Sequence, residues 1–106
     1  MTSILDKINE EVNSNKVIIY MKGDRYEPQC GFSAAVVDAF NSLGVEYETR
    51  NILLDNELRE GIKKYSNWPT VPQVFIGGKF IGGCDITREL YQNGELKKLV
   101  QEALTK

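Results

Sequence analysis

Apolar positions along the 106-residue chain change their period in an ordered way. Ile4, Leu5, Ile8 and Val12 fall on one face of a helical repeat, with Ser3 and Asp6 placed as a cap and Asn13, Ser14 and Asn15 as a stop. Residues 16–21, KVIIYM, are β-branched and aromatic with little alternation, which predicts a central strand buried on both faces. The loop KGDRYEPQ follows, and from Cys30 to Leu43 the alanines with Val36, Val37 and Phe40 predict a largely buried helix that stops at Gly44. Residues 45–52 predict a second strand through Val45, Tyr47 and Thr49. Asp55 or Asn56 then caps a helix using Leu58, Ile62 and Tyr65, ended by Ser66, Asn67, Trp68 and Pro69.

Residues 74–76 and 79–81 predict two short strands joined by Gly77 and Gly78, a pair that suits a two-residue hairpin because both accept positive φ. After the break at Gly82 and Gly83, Asp85 is expected to cap a helix through Ile86, Leu90 and Tyr91. Beyond Asn93 and Gly94, a last amphipathic helix uses Leu96, Leu99, Val100, Ala103 and Leu104. The strand-helix-strand start requires a parallel pair with a right-handed crossover, and the glycine hairpin adds an antiparallel edge. The expected fold is therefore α/β and thioredoxin-like: a mixed four-stranded sheet flanked by helices, in one domain over residues 1–106.

Composition narrows the chemistry. A hydrophobic fraction of 42% and a charged fraction of 26% are ordinary for a soluble globular protein. Thirteen Lys+Arg against fifteen Asp+Glu, with no basic run, argue against nucleic acid as a partner. The apolar runs are too short to span a bilayer and the start MTSILDKINEE has no signal-peptide pattern, so a cytoplasmic or organelle-matrix protein is expected. With no histidine, the commonest general base and the commonest metal ligand are missing, and redox or metal chemistry must lean on sulfur.

The two cysteines, Cys30 and Cys84, read as free thiols. Cys30 stands where a strand hands over to a helix, and unpaired N–H groups at a helix start favour a thiolate. It is a candidate nucleophile or soft-metal ligand. In EPQCGFS, Ser33 takes the place of a resolving thiol, so no dithiol cycle is possible within the motif. Cys84 is either a resolving partner for Cys30 or a small residue required where it stands. Trp68 reads as a core or lid aromatic. Lys22, Arg59, Lys63 and Asp85 are ordinary surface charges one by one; together they suit a small zwitterionic peptide held near Cys30.

Four segments in order, MKG, CGFS, WPTVPQVFI and GGCDI, resemble the monothiol CGFS-type glutaredoxins over essentially the whole chain. The resemblance implies a cis-proline at Pro72, although cis X-Pro bonds are only about 5–6% of those in folded proteins. It implies that Cys30 ligates a [2Fe-2S] cluster shared between two protomers, with glutathione supplying the other thiolates. It implies glutathione contacts from Lys22, Arg59, the Val71 backbone, Cys84 and Asp85. The implied role is an iron-sulfur cluster carrier that forms a homodimer when loaded, meets BolA-like proteins, and serves recipient apo iron-sulfur proteins. Ligand counting agrees: a [2Fe-2S] cluster normally takes four thiolates, and a chain with two thiols and no histidine cannot supply them alone.

The loop GDRYEPQ departs from the family, many of whose members carry Thr-Pro after the glycine; Ala34 and Ala35, and Gly78 and Lys79, replace residues that are commonly more polar or acidic. The alternative function is a glutathione-dependent oxidoreductase acting through Cys30, which needs no thiol at position 33. A third class, a binding module for a BolA-like or iron-regulatory partner with the cluster as sensor, is separated from the first by co-purification with and without iron.

Overall fold

A computed structural model describes residues 3–105, so Met1, Thr2 and Lys106 of the expected domain lie outside it. The elements are α1 (Ile4–Ser14), β1 (Val17–Met21), α2 (Gly31–Leu43), β2 (Glu48–Asn51), α3 (Asn56–Ser66), β3 (Gln73–Ile76), β4 (Lys79–Gly82), α4 (Cys84–Gln92) and α5 (Glu95–Leu104). A short 3-10 turn, Ile52–Leu54, leads from β2 to α3. The sheet order is β2-β1-β3-β4; β1 and β2 run parallel, and the other pairs are antiparallel. This is the expected mixed four-stranded sheet.

All five residues of β1 are buried because helices cover both faces of the sheet. Val17, Ile19 and Met21 join Val36, Val37 and Phe40 of α2, with Leu96 and Val100 of α5, in one core. Ile18 and Tyr20 point the other way, to Ile8 and Val12 of α1 and Leu58 and Ile62 of α3. The missing alternation in KVIIYM is the sequence record of this two-sided burial. Ser3 caps α1 by accepting the Asp6 N–H at 3.1 Å, and Asp55 caps α3 by accepting the Leu58 N–H at 3.2 Å. Gly77 and Gly78 turn the hairpin with φ of 59° and 83°.

Two expectations are corrected. The second strand is shorter than 45–52. Its expected first residues lie outside the ladder: the Tyr47 ring is buried against Phe40, and the Tyr47 carbonyl accepts from the Arg25 guanidinium. Its expected last residue, Ile52, leaves the sheet for the 3-10 turn, where the Asn51 side chain accepts the Leu53 N–H at 3.0 Å. The second correction concerns Asp85, which does not cap α4. Gly83 holds that position: its carbonyl accepts both the N–H and the hydroxyl of Thr87, at 3.0 and 2.8 Å, so the helix begins at Cys84. Asp85 falls in the first turn, where the helix dipole favours its charge.

A polar ladder ties α1 to the sheet. Glu11 accepts from the Tyr20 hydroxyl at 2.9 Å and from Arg50 Nε at 3.2 Å. Burial, then the bond and charge of Glu11, push the Tyr20 hydroxyl far above its ordinary pKa, so it stays a neutral donor. Glu11→Ala leaves the buried Tyr20 hydroxyl unpaired and is expected to lower stability by about 1–3 kcal/mol in urea unfolding.

Candidate functional site

The site begins at the N-terminus of α2. Cys30 is the N-cap residue, with extended φ of −152° and ψ of 156°. Its Sγ accepts the Ser33 N–H at 3.3 Å and lies 3.3 Å from Ser33 Oγ. Ser33 is wholly buried, and its Oγ accepts the Lys22 N–H from the end of β1 at 3.2 Å. With a lone pair engaged by Lys22, the hydroxyl has its own proton to give to a thiolate at Cys30.

The electrostatics follow from these contacts. Partial burial opposes ionisation of Cys30, but hydrogen bonds from the Ser33 hydroxyl and from the Ser33 and Phe32 backbone, with the Lys22 charge, outweigh it and hold the thiol below its ordinary pKa. Cys84 behaves oppositely: burial first, then the neighbouring Asp85 and Cys30, push its thiol up against the pull of Arg88. The two sulfurs sense each other's charge, yet only Cys30 is poised as a thiolate. Ser33→Ala removes the hydroxyl donor and is expected to raise the pH midpoint of Cys30 alkylation in metal-free protein. The sign follows from the lowered pKa: the thiolate persists to lower pH while the donor is present and is lost at higher pH without it.

The loop before Cys30 is built by its own side chains. Asp24 Oδ1 accepts the N–H groups of Tyr26 and Glu27, each at 2.8 Å. The Arg25 guanidinium lies 4.4 Å from the Tyr47 ring centroid and 3.8 Å from a Glu48 carboxylate oxygen. Gly23, with φ of 84°, donates its N–H to Asn51 Oδ1 at 3.0 Å, and a Cβ there would sit 2.3 Å from the Glu27 carbonyl oxygen. GDRYEPQ is thus anchored by Arg25 to β2, while the Tyr26 ring stands 87% exposed at its apex.

Beside Cys30 opens a cleft of about 470 Å³. Lys22, Arg59, Lys63, Val71, Cys84 and Asp85 all line it, so the charges dispersed through the sequence converge on one cavity. Cys30 itself is not in the lining; Lys22, whose charge acts on it, and Phe32, two residues on, are. Trp68 forms a wall, packed on Phe80 with ring centroids 5.7 Å apart. Val71 precedes a cis peptide bond to Pro72. Among the described residues, nothing in the protein takes up the Val71 backbone N–H or carbonyl. Cations, free backbone groups and apolar walls together can hold a small extended peptide with carboxylate ends.

Sequence reasoning did not single out Phe32, Ile86, Asn51 or Gln73. Phe32 left a misleading signal: four and eight residues before Val36 and Phe40, it falls on their helical row and reads as core, whereas it is 65% exposed and lines the cleft. Asn51 left none, because its bond to Gly23 joins residues far apart in the chain.

A thioredoxin-like sheet with a thiolate-favouring cysteine at a helix start, and a cleft lined by a cis-proline, defines the class. The Glutaredoxin family model matches residues 17–81. A monothiol glutaredoxin of Synechocystis is 54% identical over 98 residues, 92% of each chain. Among solved structures, reduced apo GrxS14 from poplar aligns with a TM-score of 0.83 at 48% identity, covering 94% of this chain and 92% of the other. A buckwheat glutaredoxin-glutathione complex aligns with a TM-score of 0.84 at 32% identity, covering 94% and 89%. The chain belongs to the monothiol glutaredoxins.

Proposed function

We propose that the protein, as a single glutaredoxin domain, binds glutathione in the cleft beside Cys30 and, as a dimer, holds a [2Fe-2S] cluster that it passes to recipient apoproteins. The observation that carries this reading is the pairing of a half-exposed, thiolate-favouring Cys30 with a buried serine at position 33. The chemistry of the donors fits: a soft thiolate is present, and no second thiol stands in the motif to compete with iron for it. Among the described residues no group of three or more His, Cys, Asp or Glu side chains is assembled to hold a metal ion, so further ligands must come from outside the protomer. Glutathione suits that role: Lys22, Arg59, Val71, Cys84 and Asp85 line one cleft, and the two cations among them suit its carboxylates. A cargo held partly by a diffusible thiol exchanges readily, which favours transfer over storage. BolA-like proteins and apo iron-sulfur proteins are the partners this role calls for.

In the test, anaerobic reconstitution with iron and sulfide is run with and without glutathione. A coloured dimer containing two glutathiones is expected only when glutathione is present. Equal cluster loading in its absence would refute the ligand set.

The lowered pKa of Cys30 also favours a second reading, as a deglutathionylating oxidoreductase. The Cys30 thiolate would attack the glutathione sulfur of a mixed disulfide, release the protein thiolate and become glutathionylated. A second glutathione would then reduce it, leaving oxidised glutathione. Robust turnover in a glutathione-coupled assay supports this reading; negligible turnover leaves the carrier.

A further inference from the structure

Gln73 opens β3 as a fully buried amide in an otherwise apolar strand. Its Nε2 donates to the Trp68 carbonyl at 3.2 Å and to the Thr70 carbonyl at 3.0 Å. Among the described residues, Oε1 meets no donor. A buried acceptor left without a partner is costly, and an apolar side chain of the same length would fill the place without that cost. What Gln73 supplies is therefore its two donors, and both are spent on the segment that walls the cleft.

The geometry of the peptide unit turns those bonds into a direction. The Thr70-Val71 peptide is trans, since the cis bond lies one step later. In a planar trans peptide the C=O and N–H point opposite ways. Because the Thr70 carbonyl is drawn inward to a buried amide, the N–H of Val71 must point away from the interior, and Val71 lines the cleft.

We propose that Gln73 is a positioning residue for ligand binding: its side-chain amide orients the Thr70-Val71 peptide so that the Val71 N–H is presented to a backbone carbonyl of the bound peptide. The inference rests on the glutathione reading above and adds the residue that sets its hydrogen-bond donor in place.

Gln73→Met keeps length and volume but removes both donors. Calorimetric titration of the metal-free variant is expected to show glutathione binding weakened about tenfold, the loss of roughly one well-made hydrogen bond. The pH profile of Cys30 alkylation should not move, because Ser33 and Lys22 are untouched. The change in the Val71 amide resonance on adding glutathione, expected to be large in the unaltered protein, should shrink in the variant. A purely structural role would lower the unfolding temperature and leave affinity and that resonance alone. A folded variant that binds glutathione within about twofold of the unaltered protein, with the same Val71 response, would overturn the proposal. A second measurement needs no variant: in the unaltered protein the Val71 N–H should exchange rapidly with solvent and be slowed by glutathione. Protection in the free protein would refute its orientation. Failure of the unaltered protein to bind glutathione would remove the reading beneath, and this inference with it.

Discussion

Cys30→Ser is expected to abolish cluster binding. Iron and sulfide after anaerobic reconstitution should fall to background, and the visible absorption should disappear. The hydroxyl that replaces the thiol is a hard donor that stays protonated at neutral pH, and Ser33, the Lys22 charge and the N-terminus of α2 cannot ionise it as they ionise a thiol. The fold should survive, because Cys30 is only half-buried and a serine is a good N-cap, so unfolding temperature separates lost ligation from lost structure. Cys84→Ser provides the contrast. That sulfur is buried, and its raised pKa makes it a poor ligand. Its removal should reduce cluster yield at most. Retained cluster in Cys30→Ser would place the ligand elsewhere.

Ser33→Cys is the second large effect. The buried Ser33 Oγ stands 3.3 Å from Cys30 Sγ, so a sulfur placed there needs little movement to reach the roughly 2.05 Å of a disulfide. Two outcomes follow. Glutathione-coupled disulfide reduction should rise about tenfold, equivalent to ~1.4 kcal/mol off the barrier. Cluster occupancy in air should fall, because a disulfide closed between Cys30 and the introduced thiol consumes the thiolate that iron requires. A thiol is also a weaker acceptor for the Lys22 N–H, so stability should drop by about 1 kcal/mol. Unchanged turnover and unchanged occupancy would mean that the serine plays no part in keeping Cys30 available.

Both variants act on residues, Cys30 and Ser33, whose place is legible in the chain alone, and the reason is local. The strand VIIYM, the cap at Cys30 and the stop at Gly44 are each decided by neighbours in the chain, so their residue types signal them directly. Lys22, Arg59, Lys63 and Asp85 were each ordinary as surface charges; their meaning lies in sharing one cleft, which only the folded sheet creates. The misplaced cap at Asp85 has a similar origin. Aspartate is a strong N-cap in general, but here the Gly83 carbonyl had already opened the helix two residues earlier. The loop GDRYEPQ stayed unread because Arg25 finds its carbonyl and aromatic partners on Tyr47, after the whole of α2 has intervened. Gln73 was hidden by its setting: an amide beside VFI looks like the polar edge of a strand, whereas it is wholly buried and serves the loop before it.

The absence of a second thiol in CGFS thus gains a physical content. Ser33 spends one lone pair on Lys22 and has its own proton to give once Cys30 is a thiolate, favouring that form without being able to oxidise it. The measurement that tests the carrier account most directly is the ultraviolet-visible spectrum and size of the protein purified without oxygen in the presence of glutathione. A coloured dimer with sulfur-to-iron absorption bands is the predicted result. A colourless monomer that nevertheless binds glutathione would contradict it.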